Sequence, residues 1–337
     1  GFSNQSILRA ELRRLFRWLK EKGVTAIVTG EKGKNLLTKH GLEEYVADCV
    51  IFLDHRVTEQ VATRRLKIIK YRGSRHGTNE YPFLIGEDGI TIFPITSISL
   101  TGKASSRRIS SGIAELDRML DGKGFYRGSA VLISGGAGSG KTSVLSQFVD
   151  SVCSRGKRAL FFTYEETPAQ IIRNMRSIGL NLEKWVKKGL LRFSAHRGAR
   201  FGLEQHLVAA HRLIEDFNPE AVAIDPISDL TASGTIAETQ AMLTRLIDIL
   251  KEKEITILAT DLTVIGIKEE TTEIGISSIC DAWIKLNRDR RGYEMKRRIN
   301  ILKARGIDHS HRIRELVISD RGLTITDITT AREDRNE

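Results

Sequence analysis

The run Gly135-Gly136-Ala137-Gly138-Ser139-Gly140-Lys141-Thr142 constrains the fold of this chain more than any other stretch of it. It satisfies G-x-x-x-x-G-K-[ST] in full, and Ser143 follows directly. Glycines let backbone N–H groups turn inward on phosphates, the lysine reaches the β- and γ-oxygens, and the hydroxyl holds Mg²⁺. Such a loop needs a buried strand before it and a helix after it. Ala130-Val131-Leu132-Ile133-Ser134 is a short apolar run, and Val144, Leu145, Phe148 and Val149 fall at helical spacing. Both requirements are met, so ATP and Mg²⁺ are the expected ligands. Residues 159–162, 221–224 and 255–259 are further buried-strand runs separated by helical patterns, which predicts an α/β fold with a mostly parallel sheet. The stretch from Trp283 to Ile325 reads as consecutive strands, an antiparallel extension at the end of the unit.

Three further groups carry chemistry. Asp225 closes the apolar run Ala221-Val222-Ala223-Ile224, which is the form of an element that orients Mg²⁺ through water. Glu165-Glu166 follows a strand and precedes Pro168, where open α/β sheets place ligand chemistry. One of them can act as a general base, or the pair can simply favour the start of a helix with Pro168 at an early position. Lys303 and Arg305 lie two apart on a strand whose same-face neighbours are Ile299 and Ile301; they form either a phosphate clamp or a solvated strand end.

Composition excludes several classes. With 40% hydrophobic and 28% charged residues this is an ordinary globular chain, and no apolar stretch approaches the roughly 20 residues of a membrane span. Residues 1–8 lack a secretory pattern, so the chain reads as cytoplasmic. Cys49, Cys153 and Cys280 have no metal-type or disulfide spacing. The net charge of +11 suits either nucleic acid or several ATP polyanions. The densest basic run, from Arg288 to Arg298 around Gly292, reads as a solvated hairpin turn in preference to a functional patch.

An internal repeat organises the whole. Lys67-Ile68-Ile69-Lys70-Tyr71-Arg72-Gly73 with His76 recurs as Asn300-Ile301-Leu302-Lys303-Ala304-Arg305-Gly306 with His309, a shift of 233 positions that also relates Asp48 to Asp281. Leu12, Leu15 and Leu19 match Leu243, Leu246 and Leu250 at a shift of 231. Residues 1–97 are therefore expected to be the C-terminal part of a first domain cut inside itself. Residues 98–108 form a linker, 109–330 a complete second domain and 331–337 a tail.

With these residues in hand the sequence resembles the KaiC family, the tandem RecA-like ATPases and autokinases of bacterial circadian clocks. The resemblance rests on Tyr164-Glu165-Glu166-Thr167-Pro168 with Arg173 and Asn174, Lys303-x-Arg305-Gly306-x-x-His309, Arg314-Glu315, and Ile318-Ser319-Asp320-x-Gly322. It implies a P-loop NTPase fold, RecA-like, with duplicated domains in a double-ring homohexamer. ATP at each subunit interface would meet Lys303, Arg305 and His309 of a neighbour, and Lys70, Arg72 and His76 in the first ring. It further implies that the phosphorylated pair falls on Ser277-Ser278, where the best-known members carry Ser and Thr. The KaiB-binding region would belong to the absent first half, and little of the KaiA-binding tail follows Ile325. The expected activity is ATP hydrolysis with serine autokinase chemistry, to which autophosphatase chemistry is the optional addition. Glu165 leads as base, with Glu166 as alternate. The competing readings are a RecA- or DnaB-like DNA motor and a nucleotide-gated scaffold.

Overall fold

Apolar residues at helical spacing and then at two-residue alternation build the first of the two units into which the chain divides, Gly1–Pro94 and Ile95–Glu337. The computed structural model describes residues 5–33, 37, 43–58, 61–86, 89–92, 105–263, 275–291 and 294–328. Positions 98–104 of the expected linker, Gly292 and the tail 331–337 lie outside those residues. In the first unit, helices α1 (Gln5–Glu21) and α2 (Glu43–Val46) precede an antiparallel sheet in the order β1 (Cys49–Thr58), β2 (Val61–Tyr71), β3 (Glu80–Gly86), β4 (Gly89–Ile92). Leu66 and Ile68 alternate on β2 and pack with Tyr81 and Phe83 of β3.

The second unit opens with a small ladder, β5 (Arg108–Ile109) against β6 (Phe125–Tyr126), flanking α3 (Ala114–Met119). Then follow β7 (Ala130–Gly135), α4 (Lys141–Ser154), β8 (Ala159–Thr163), α5 (Pro168–Arg176), α6 (Glu183–Lys187), β9 (Leu191–Ala195), α7 (Leu203–Phe217), β10 (Ala221–Asp225), α8 (Ile236–Glu252) and β11 (Thr256–Leu262). Four more strands complete it: β12 (Ala282–Arg291), β13 (Glu294–Ala304), β14 (Arg314–Ser319) and β15 (Gly322–Thr326). The nine-stranded sheet runs β15-β14-β13-β12-β7-β11-β10-β8-β9. It is parallel from β12 to β9 and antiparallel from β12 to β15.

Strands buried on both faces need helices on both faces, and the core divides accordingly. Val131, Ile133, Phe161 and Ala223 pack under α3, α4, α5 and α6. Their immediate neighbours Leu132, Leu160, Phe162 and Val222 pack under α7 and α8. This is a three-layer α/β/α sandwich, the mostly parallel sheet with an antiparallel extension that the sequence predicts.

The repeat reaches down to hydrogen-bond register. β1 and β2 pair as Cys49↔Tyr71 and β12 and β13 as Ala282↔Ala304, each position shifted by 233. A bulge follows Val50 in one hairpin and Trp283 in the other, again 233 apart. Arg65↔Pro82 corresponds to Arg298↔Glu315, and Gly86↔Gly89 to Ser319↔Gly322. Helices α1 and α8 match end to end at the shift of 231.

That bulge corrects one sequence reading. Ile299, Ile301 and Ala304 belong to one core layer while Leu302 packs on the other, so strict alternation fails between Ile301 and Ala304. A bulge inserts a residue and re-aims the side chains after it. Lys303 therefore does not simply continue the face of Ile299 and Ile301, and Arg305 lies in the turn past the strand's end.

Candidate active site

The loop between β7 and α4 takes its shape from glycine. Gly138 and Gly140 have φ of +71° and +101°, and a Cβ on Gly135 would stand 2.4 Å from the Leu286 carbonyl oxygen. Nothing lies within 4 Å of the Cβ direction of Gly136, so the cradle is open where phosphate would enter. Lys141 is buried and turned back on the loop, donating to the Gly135 and Gly136 carbonyls at 2.7 and 3.0 Å. Burial holds its ammonium below the usual lysine range, with Asp225, Glu165 and Asp261 pulling the other way. Ser139 is buried on the loop, and Ser143 lies with Thr142 in the first turn of α4.

Thr142 Oγ1 donates to Asp225 Oδ2 at 2.7 Å, which brings the two expected Mg²⁺ groups together. The same carboxylate, only 8% exposed, accepts from Thr260 of β11, a residue that sequence reasoning missed. One carboxylate and one hydroxyl beside an open phosphate cradle suit Mg²⁺, which takes its remaining ligands from water and nucleotide phosphates.

Thr167 caps α5 in a reciprocal box with Gln170, and Pro168 is the first helical residue. Glu165 and Glu166 thus precede the helix and do not sit in its first turn. Glu166 accepts from Asn174 Nδ2 at 3.1 Å, and its carbonyl accepts from Thr163 Oγ1 at 2.6 Å. Burial, then the charges of Asp225 and Glu165, push the Glu166 carboxyl up, while Asn174 and Arg173 oppose the shift. Glu165 is exposed and lies close enough to act electrostatically on Lys141.

Lys303 and Arg305 converge elsewhere. Lys303 Nζ donates to the Ser277 carbonyl at 2.8 Å, and Arg305 Nη2 to the Ser278 carbonyl at 2.7 Å. Asp281 anchors this cluster to the start of β7: its backbone N–H donates to the Ala130 carbonyl at 2.7 Å and its Oδ2 accepts from the Ala130 N–H at 2.8 Å. Arg305 N–H donates to the Asp281 carbonyl at 2.8 Å. The P-loop leaves the other end of β7, about 17 Å away over five steps of roughly 3.3 Å. His309 is part-buried, with its ring 4.8 Å from that of His311. In the first unit Arg72 N–H donates to the Asp48 carbonyl at 2.8 Å and its Nη2 to the Tyr45 carbonyl at 3.0 Å. These are the bonds of Arg305 moved by 233, with Tyr45 in the place of Ser278. Lys70 and His76 are half-buried there.

The basic run is more than a solvated turn. Cross-strand partners Arg288 and Arg297 reach the P-loop, donating to the Ala137 carbonyl at 3.5 Å and the Gly138 carbonyl at 3.2 Å. Arg298, 2% exposed, pairs with Glu315 at 3.1 Å and Asp289 at 3.4 Å. The signal that could have found Arg288 and Arg297 is topological: β12 runs parallel beside β7, with Leu286 opposite Gly135, so its later residues overshoot toward the loop.

A P-loop at the end of a central parallel strand, a carboxylate on the threonine that follows its lysine, and an antiparallel close to the sheet define a RecA-like P-loop nucleoside triphosphatase. The chain belongs to the KaiC ATPase family, whose model matches residues 2–97 and 109–330. Circadian clock protein KaiC2 of Synechocystis sp. is 49% identical over 327 residues, covering 96% of this chain and 58% of that protein. Circadian clock protein KaiC3 of the same organism is 37% identical over 328 residues, covering 96% and 65%. The circadian clock oscillator protein KaiC of Synechococcus elongatus is 37% identical over 330 residues, covering 97% and 63%. This chain thus spans less than two thirds of the length of these relatives. Among the described residues no helix is long and apolar enough to cross a membrane.

Proposed function

We propose that this chain is an ATP-hydrolysing serine autokinase that passes the γ-phosphate of ATP, held by one subunit's P-loop, to Ser277 or Ser278 of an adjacent subunit in a homohexamer. The observation that carries this reading is the placement of the two half-sites at opposite ends of β7. A hydroxyl must come to about 3–3.5 Å of the phosphorus it attacks. Ser277 and Ser278 lie near the start of β7, and the length of that strand alone is about five times this distance, too far to be bridged by a small side-chain movement in one chain, so a neighbour is the natural donor.

The P-loop backbone, Lys141 and Thr142 would hold the triphosphate. Mg²⁺, bound by Thr142 and through water by Asp225, would neutralise charge on the β- and γ-oxygens. Glu165 is the leading base: it is exposed at the mouth of the site, whereas Glu166 is tied to Asn174. It would accept the proton of the serine hydroxyl as the Oγ–P bond forms and the bond from phosphorus to the ADP oxygen breaks. Lys303 and Arg305, leaving the serine carbonyls, would stabilise the charge on the transferring group, and His309 would line the nucleotide from the same side. With water as acceptor the same site hydrolyses ATP.

The shared hairpin register supports reading residues 1–97 as the closing part of a first domain of the same kind, joined by 98–108 to a complete domain at 109–330 with the tail 331–337 after it. In that ring Lys70, Arg72 and His76 would take the part of Lys303, Arg305 and His309. The relatives' names as circadian clock proteins support a timing role with Kai-type proteins as partners, and the cytoplasm is the compartment we assign to it. Two cations behind the DNA-motor alternative are engaged with the P-loop, which weighs against it.

The test is incubation with labelled ATP and Mg²⁺ followed by phosphosite mapping. The Ser277→Ala, Ser278→Ala double variant is expected to lose protein-bound phosphate while keeping ATP hydrolysis and assembly. Phosphate persisting on that variant overturns the acceptor assignment.

A further inference from the structure

At the end of the sheet away from the P-loop, five cations from three separate parts of the second unit surround one cavity of about 270 Å³. Arg107 enters from just before β5 and Arg108 from its first position, Arg127 from the turn before β7, and Arg155 and Lys157 from the turn that joins α4 to β8. A single carboxylate, Glu220, faces them, and it pairs with Arg127 at 3.7 Å. The Nε of Arg127 is buried with no hydrogen-bond partner among the described residues. Arg108 is held rigidly: it donates to the Gly124 carbonyl at 2.7 Å and the Leu120 carbonyl at 2.9 Å, and lies 4.5 Å from the Tyr126 ring centroid. Arg107 and Lys157 are exposed at the rim.

Cations at the C-terminal end of a helix are favoured by its macrodipole, which accounts for Arg155 and Lys157 after α4. It does not account for Arg107 and Arg127, which come from other elements and add like charge to the same space. Guanidinium groups and an ammonium lining one concave space are the groups that recognise phosphate oxygens. The cavity falls just below the range of about 300–1,000 Å³ typical of sites for drug-sized ligands. It is large enough for a diphosphate or triphosphate group with its waters.

We propose that this cavity is a second anion site, separate from the P-loop, that takes the polyphosphate group of a small molecule. Binding there would neutralise the cluster and place charge beside the far ends of β7 and α4, the two elements whose near ends form the P-loop.

The probe is inorganic tripolyphosphate, titrated calorimetrically into the full chain at fixed ionic strength. In a Lys141→Ala background, which disables the P-loop, one tripolyphosphate per chain is expected to bind. Adding Arg155→Ala with Lys157→Ala should weaken it at least tenfold. Adding Lys187→Ala with Lys188→Ala, which removes the same charge from the exposed C-terminal end of α6, should leave it unchanged. On the wild-type P-loop the stoichiometry should fall from two to one with the Arg155 and Lys157 pair, which guards against a misfolded Lys141 variant. No binding to Lys141→Ala together with a single site on the wild-type chain, or equal weakening by the two double substitutions, overturns the site. A single-stranded dT oligonucleotide that binds in the same variant order while tripolyphosphate does not would assign the cations to nucleic acid instead and overturn the small-molecule reading.

Discussion

Glu166 shows how position separates two adjacent carboxylates. Its carboxyl is pushed up by burial and by the charges of Asp225 and Glu165, so ionising it costs more in the folded chain than in the unfolded one. That penalty is present at neutral pH and fades as pH falls through the raised value toward the ordinary 4.5. Glu166→Gln keeps an acceptor for Asn174 and removes the charge. It should raise the melting temperature of the nucleotide-free protein at pH 7, with the gain vanishing in acid; a melting temperature that falls at pH 7 would show that the charge is needed for the local fold. Sequence reading could not divide the roles of Glu165 and Glu166, because both follow the strand and both precede Pro168. Asn174, eight residues further on and folded back by α5, makes the division.

At the scale of the element, the turn from β8 into α5 depends on a cap. Thr167 accepts from the Gln170 N–H and its own N–H is satisfied by the Gln170 side chain. Thr167→Ala should cost about 1 kcal/mol, a fall of about 2–4 °C in a unit of this size. Because the cap fixes the strand-to-helix turn that carries both glutamates, ATP turnover should drop more than ATP affinity. Equal losses in both would mean the cap serves folding alone. The P-loop, its strand and its helix were legible from residues 130–153 because local pattern and motif agree there. The parallel strands were legible as apolar runs. The bulge at Trp283 was not, since one inserted residue leaves no mark in an apolar sequence, and with it went the facing of Lys303. The approach of Arg288 and Arg297 to the loop was hidden for a related reason: it follows from strand order, which no single segment encodes.

For the whole molecule, the proposed reaction requires one chain's P-loop and another's cations. Mixing Arg305→Ala chains with Glu165→Gln chains should therefore restore activity that neither has alone, since about one interface in four then joins an intact base to an intact arginine by random assortment. Mixed assemblies no more active than their better component would place both groups within one chain. The first unit repeats the arginine bond to the carbonyl at the matching position but offers Glu44-Tyr45 where the second offers Ser277-Ser278. On the proposed reading the two copies would touch nucleotide alike and differ in what accepts phosphate. The half-sites at the two ends of β7 also make assembly countable. If sites are shared between subunits as proposed, an open string of subunits would have one bare P-loop at one end and one idle pair of cations at the other. Closing the string would add a site without adding a chain, so turnover per subunit would become a gauge of whether the ring is shut.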